Sequence, residues 1–553
     1  LFREFSIVVS GSVIISSFAA LTFTPMLATK LLIKREKQSW FYRKTEPFFE
    51  GMNRIYSRSL AAFLRKRWIA LPFTAATILI IGFLWNYIPA EMAPLEDRSQ
   101  ISINTRGAEG VTYEYIRDYT EDINLLVDSI TPDAEAVTAR VSSGSGNIRI
   151  TLKDMQDRDY TQMEVAEKLS KAVQKKTMAR SFVQQSSSFG GRRGGMPVQY
   201  VLQATNIEKL QEVLPKFMAK VYENPVFQMA DVDLKFSKPE ARININRDKA
   251  SIMGVSTRNI AQTLQYGLSG QRMGYFYMNG KQYEILGEIN RQQRNKPADL
   301  KGIYIRSSQG DMVQLDNLIE LTDGIAPPKL YRYNRFVSAT ISAGLADGKT
   351  IGQGLDEMDK IAKETLDDTF RTALTGDSKE YRESSSSLMF AFILAILLIY
   401  LILAAQFESF KDPLIIMLTV PLAIAGALVF MYFGDITMNI FSQIGIIMLI
   451  GLVAKNGILI VEFANQKQEA GEDKMQAIKD AALQRLRPIL MTSASTVLGL
   501  IPLAFATGEG CNQRIAMGTA VVGGMLVSTL LTMYIVPAIY SYVSTNRSKL
   551  KNE

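Results

Sequence analysis

Lys455 stands in an almost charge-free run, Ile440–Phe463, within the stretch Gly451-Leu-Val-Ala-Lys-Asn-Gly457. Carrying a lysine to bilayer depth costs roughly 2.5–3.5 kcal/mol even on insertion scales, so such a residue pairs with an acid or lines a polar cavity. Glu462 shares its helix face but stands ~10 Å along the axis, and Asp435 and Glu408 fall in loops. The chemistry open to Lys455 is a proton or ion relay whose acidic half comes from elsewhere. The alternative is a lysine that snorkels to the interface. The following apolar run opens with Arg485-Leu-Arg487-Pro488 and continues through Thr492, Ser493, Ser495 and Thr496. Arg485 and Thr492 are seven apart and share a helix face. Hydroxyls on a spanning helix often bond only to their own backbone; beside Lys455 they read as a polar seam through a helix bundle.

Other chemistries fall away. The 553 residues contain no histidine and one cysteine, Cys511, which excludes imidazole catalysis, His-ligated metal and a disulfide scaffold. Ala343–Thr350 resembles a phosphate loop, but its first glycine is one position too close. Gly190-Gly-Arg-Arg-Gly-Gly195 is no dinucleotide fingerprint. It reads as a loop with Phe182 and Phe189 on one side and Met196 on the other, an adaptable apolar surface or a plain surface loop. Gly518, Gly523 and Gly524 would let helices approach closely.

The elements that must hold these residues follow from hydropathy. Seven runs are long and apolar enough to span a bilayer: Phe5–Leu32, Ile69–Ile88, Leu388–Ala405, Pro413–Phe433, Ile440–Phe463, Pro488–Ala506 and Ile515–Val543. The net charge of +8 is concentrated in short loops on one side, from Lys30 to Arg67, from Lys467 to Arg487 and in the tail after Arg547. That is the positive-inside pattern of a membrane protein, not a nucleic-acid footprint. The segment Lys37–Arg67 mixes aromatic and basic residues as an amphipathic helix on the inner leaflet does, the alternative being an ordinary cytoplasmic linker.

Between the second and third spans lies a polar block with its own grammar. Ser99–Arg106, Glu135–Ser142, Asn147–Lys153 and Ser181–Ser187 read as strands, with helices over Thr112–Ser129 and Gln162–Thr177. The order is βαββαβ, the ferredoxin-like plan. It recurs, interrupted, from Val198 to Thr375. The interruption carries Asn279-Gly280 between strand-like flanks, a strong hairpin signal. The expected fold is therefore a polytopic α-helical membrane protein of seven spans with a large exported α+β region. Spans fall in 1–33, 68–88 and, five together, 384–543, with a cytoplasmic amphipathic segment over 34–67 and a tail over 544–553. One exported subdomain covers 89–196, a second covers 197–239 and 324–383, and a module is inserted over 240–323.

These features resemble the resistance–nodulation–division superfamily, in its hydrophobe/amphiphile (multidrug) efflux branch. The resemblance rests on Leu21-Thr-Phe-Thr-Pro-Met-Leu27, Leu403-Ala-Ala-Gln-Phe-Glu-Ser409, the Gly451–Phe463 run and Arg485-Leu-Arg-Pro-Ile-Leu-Met-Thr492, and it extends over essentially all of the chain. It implies the C-terminal half of an inner-membrane pump, with two porter subdomains and a docking module in the periplasm. The pump is expected to be a homotrimer working with a periplasmic adaptor protein and an outer-membrane channel, without a cofactor. Lys455, Arg485 and Thr492 fall on the family's proton-relay positions, whose partners are two aspartates on an earlier span. The chain starts at Leu1, after that span would end, and is expected to be a fragment. Phe182, Phe189 and Met196 are candidate substrate contacts, although the region has fewer Phe than the family's drug pockets.

The implied activity is proton-driven export of amphiphilic small molecules. Heavy-metal export by the same superfamily is the nearest alternative, since 24 methionines could serve soft cations. A secretion-assisting membrane scaffold is an alternative of another class, and a membrane enzyme has no identifiable nucleophile or base.

Overall fold

The computed structural model describes residues 2–31, 40–185, 196–327, 329–346 and 348–545. Helix α1 (Phe2–Leu31) is followed by α2 (Trp40–Arg65) and α3 (Ala70–Tyr87). Helix α2 buries Tyr56, Leu60 and Leu64 while Phe48 and Ile55 stay exposed. The exposed pair gives the helix an apolar side not covered by the described bundle.

The chain then leaves the bundle and builds strand β1 (Gln100–Arg106), helix α4 (Tyr113–Ile130), strands β2 (Ala136–Ser142) and β3 (Ser145–Thr151), helix α5 (Gln162–Val173) and strand β4 (Arg180–Gln185). The sheet order is β2-β3-β1-β4, all antiparallel. Alternation in β1 sends Ile101 and Ile103 inward, opposite Ile150 and Ile148 of β3. Helical spacing places Ile116, Ile123 and Val127 of α4 and Val165 and Leu169 of α5 over them.

The same plan repeats in β5 (Val198–Ala204), α6 (Ile207–Glu223) and β6 (Phe227–Val232). Before it completes, β7 (Lys238–Ile245), α7 (Arg247–Ile252), α8 (Thr257–Leu268), β8 (Gln271–Met278), β9 (Lys281–Gly287), β10 (Tyr304–Arg306), β11 (Met312–Gln314) and β12 (Ile319–Ala326) intervene. Strand β7 pairs with β12, which closes the insertion at its base. Strands β8 and β9 form a hairpin. Asn279 (φ 52°) and Gly280 (φ 73°) both take the left-handed conformation that its two-residue turn requires. Strands β13 (Tyr331–Tyr333) and β14 (Phe336–Leu345), helix α9 (Ile351–Thr365) and strand β15 (Arg371–Leu374) complete the second sheet. Its order is β13-β14-β5-β15, with β6 also on β14, so β6-β14-β5-β15 repeats the order of the first. The sheets are tied by Asp231 of β6, which is 8% exposed and meets Arg106 at 3.2 Å and Arg180 at 3.5 Å.

The chain re-enters the bundle through α10 (Gly376–Phe407), α11 (Lys411–Met417), α12 (Thr419–Phe433), α13 (Ile440–Glu469), α14 (Lys474–Ala504) and α15 (Cys511–Val543). Helices α11 and α12 together form one span. Among the described residues seven helical segments are long and apolar enough to cross a membrane, the number expected. Helix α15 packs against α12, α13 and α14, and its glycines make this contact close. A Cβ on Gly518 would lie 2.5 Å from the Ala504 backbone nitrogen, and one on Gly524 would lie 2.1 Å from Leu449. Any side chain at Gly518 would have to push the α14 backbone aside, a larger disturbance than moving a side-chain tip.

Two joints connect the bundle to the extramembrane region. The residues after α3 pair with the turn before α13: Met438 N–H donates to the Pro89 carbonyl (2.8 Å), Glu91 N–H to Met438 (3.0 Å) and Ile440 N–H to Met92 (3.2 Å). At the other joint Glu96, 1% exposed, accepts from the Gln513 N–H (2.9 Å) in the first turn of α15. A carboxylate there satisfies a helix-end donor and meets the positive end of the helix dipole. Asp97 beside it pairs with Arg158 and accepts from the Gln162 N–H (2.9 Å), which carries the joint to the start of α5.

Candidate functional site

The sequence-derived residues fall into two places. Lys455 lies midway along α13. Its neighbours Ala454, Asn456 and Gly457 are buried, but Lys455 is exposed, on a side of the helix that the described spans leave uncovered. Among the described residues no ion pair or hydrogen bond joins Lys455, Arg485 and Thr492. The Arg485 guanidinium lies 4.4 Å from the centre of the Phe463 ring, a cation–π contact, and its buried Nε has no hydrogen-bond partner. Phe463 stands eight residues beyond Lys455, ~12 Å along the same helix. Thr492 gives its hydroxyl to the Ile489 carbonyl (3.1 Å), and Thr496 gives its own to Thr492 (2.9 Å). For these two the local backbone bond is the observed arrangement.

The polar seam lies one residue over. Asn456 donates through Nδ2 to Ser493 Oγ and to Thr529 Oγ1, both at 3.3 Å, and the two hydroxyls meet at 3.1 Å. All three are buried. The cluster links α13, α14 and α15 next to Lys455. Each bond contributes on the order of 0.6 kcal/mol in a membrane interior, and the geometry fixes how the three helices meet. Sequence reading named Ser493 but missed Asn456 and Thr529. The signal was a polar side chain adjoining the lysine and hydroxyls in an otherwise apolar last span. A second cluster, also missed, closes the end of the bundle away from the extramembrane region. Asn465 donates to Asp412 (3.1 Å), Tyr540 to Asn465 (2.5 Å) and Gln468 to Tyr540 (2.6 Å). Asp412 is 2% exposed in the first turn of α11.

The second place is a cavity of about 650 Å³ between the two sheets, within the range of small-molecule sites. Phe182 of β4 and Met196 just before β5 both line it, as do Met229, Leu345 and Ile351 of the second sheet and its helix. Phe189 and the glycine–arginine loop lie outside the described residues. The cavity floor is formed by Glu91 and Met92, the same segment that pairs with the start of α13, and by Asp377 at the start of α10. Burial pushes the Glu91 carboxyl above the usual carboxylate range, opposed by a hydrogen bond from the Thr437 hydroxyl. The wall is mixed: the Phe182 ring, three methionines and several aliphatic side chains alternate with glutamines, hydroxyls and the charged Glu91, Lys349 and Asp377. Such a lining can bury an apolar body against Phe182 and the methionines while its many polar groups orient the rest.

Comparison with known proteins agrees with this architecture. A family model described as the AcrB/AcrD/AcrF family matches residues 1–544. An uncharacterized transporter from Haemophilus influenzae is 31% identical over 562 positions, which cover all of this chain and 54% of that protein. The chain thus spans about half the length of the curated relative it matches.

Proposed function

Because this chain belongs to the AcrB/AcrD/AcrF family of transporters, we propose that it forms part of a proton-driven exporter of amphiphilic small molecules in a bacterial inner membrane. The observation that carries the reading is Lys455: a cation midway along a membrane helix, facing away from the described bundle, beside a buried hydrogen-bonded seam. A carboxylate from the rest of the transporter would pair with it. Protonation of that carboxylate from the periplasmic side would release the lysine and change how α13 packs, with Arg485 and Thr492 on the adjoining helix as the other relay positions.

The cavity between the sheets is the substrate path in this reading. Movement of α13 reaches it directly, because Ile440 at the head of α13 is hydrogen-bonded to Met92 in the cavity floor. Lys455 lies fifteen residues further along α13, ~22 Å at helical rise. The rigid helix is therefore the lever between proton site and cavity. Phe182 and Met196 would hold the apolar part of the substrate. The insertion between β6 and β14 is the docking module, and the working assembly is a homotrimer joined by a periplasmic adaptor to an outer-membrane channel.

A dye-loaded cell expressing the protein tests the energy source. Efflux of ethidium is expected to stop when a protonophore collapses the gradient at constant cellular ATP. Efflux that continues at its original rate would remove the proton from the account.

A further inference from the structure

We propose that the membrane-proximal end of the cavity is a subsite for organic cations, with Glu91 and Asp377 as the residues that set the preference. The inference rests on the cavity being the substrate path, as read above, and adds the charge of what it takes.

The two carboxylates reach the cavity from separate elements. Glu91 comes from the segment that leaves α3, and Asp377 from the first turn of α10. Both are half-buried. The hydroxyl of Thr437, a neutral group, is the side-chain partner of Glu91. Among the described residues neither acid takes part in an ion pair. A carboxylate drawn partly out of water without a cation is disfavoured, and the upward push on Glu91 is the sign of that cost. A positive group on a ligand would relieve it.

Lys349 also lines the cavity and has the opposite sign. It is exposed, so water and salt screen it within about 8–10 Å. Charges set into a partly dehydrated wall act over a lower dielectric and are felt more strongly. The field at the floor is therefore set by the acids. Met92, the chain neighbour of Glu91, and Ile351 line the same cavity, so a bound ammonium has apolar surface available for its substituents. The ligand that matches is an amphiphilic cation, with its hydrophobic body toward Phe182 and Met196 and its charge toward the floor. An anionic amphiphile of the same shape meets two like charges instead.

The test is equilibrium binding to the protein as its cell makes it, purified in detergent and read by fluorescence. Ethidium serves as the cationic probe and Nile red as the neutral one. The double variant E91Q/D377N keeps size and shape while removing both charges. The ratio of ethidium affinity to Nile red affinity is expected to fall about tenfold, a difference of about 1.4 kcal/mol. Phe182→Ala should weaken both probes and leave that ratio nearly as it was. An unchanged ratio in E91Q/D377N, with both probes weakened by Phe182→Ala, would overturn the charge assignment and leave the cavity as the binding site. If Phe182→Ala alters neither probe, the cavity is not where they bind, and the proposal falls with the reading beneath it.

Discussion

Replacing Lys455 with alanine is expected to abolish proton-driven efflux while leaving the amount of folded protein in the membrane nearly unchanged. Loss of transport and retention of the fold follow from different features of Lys455. Lys455 is exposed on α13 and makes no ion pair or hydrogen bond among the described residues, so its loss opens no cavity in the described bundle. The seam beside it, Asn456 with Ser493 and Thr529, stays intact. Yet Lys455 carries the charge that would let a protonation event alter helix packing. Couplings of 1–3 kcal/mol correspond to roughly 5–150-fold effects, and removal of the charged partner itself should place the loss at the upper end, about 100-fold in initial efflux rate. Lys455→Arg keeps the sign but replaces a compact ammonium with a planar fork, and should recover only part of the rate. Membrane level by immunoblot and efflux of a preloaded dye check both halves. A Lys455→Ala protein that exports at the normal rate would contradict the relay.

The second large effect concerns the cavity. Phe182→Ala is expected to raise the dissociation constant for an amphiphilic dye by roughly tenfold or more, and Met196→Ala should act in the same direction. Fully burying a large apolar side chain contributes about 1.5–3 kcal/mol, and each 1.4 kcal/mol is tenfold in affinity. Phe182 is half-buried, so its rim gains further burial when a ligand covers it. The sheet should survive the change. Phe182 pairs with Asn104 in the β1–β4 ladder through backbone, while the adjacent Val183 packs on the hydrophobic core. Circular dichroism reads the fold and fluorescence titration reads the affinity. Unaltered binding by both single variants would remove these residues from the substrate path.

The fold was legible where a local period repeats. Ile101 and Ile103 alternate in β1, Ile116, Ile123 and Val127 follow helical spacing in α4, and Asn279-Gly280 marks its own turn. Both βαββαβ orders could be read because each element is short and amphipathic. One strand end shows the limit of such reading. The alternation suggests that β6 runs to Phe236, whereas it stops at Val232. There Asp233 exchanges hydrogen bonds with Thr340 of β14 through its carboxylate (2.7 Å) and its backbone N–H (3.1 Å) and turns the chain. That contact joins residues over a hundred positions apart, and no local pattern announces it.

The candidate site was legible in its charges and not in the contacts around it. Lys455, Arg485 and Thr492 stand out because a polar group in an apolar run is conspicuous. The buried polar clusters of the bundle do not stand out in the same way. Asn456 meets Thr529 across 73 positions and Asn465 meets Asp412 across 53, so these contacts exist only once the helices are packed. Glu91 looks like an ordinary loop acid in the sequence. Its place in the cavity floor follows from the pairing of its segment with the turn before α13, which depends on the arrangement of α3 beside α12.

The most direct test is a flux measurement in proteoliposomes that contain the protein as its cell makes it, with a pH-sensitive dye trapped inside. Under an imposed proton gradient, adding a transported amphiphile is expected to speed proton movement down the gradient, and the Lys455→Ala protein should show no such response. Substrate transport with no accompanying proton flux, or the same proton response from the Lys455→Ala protein, would contradict the account.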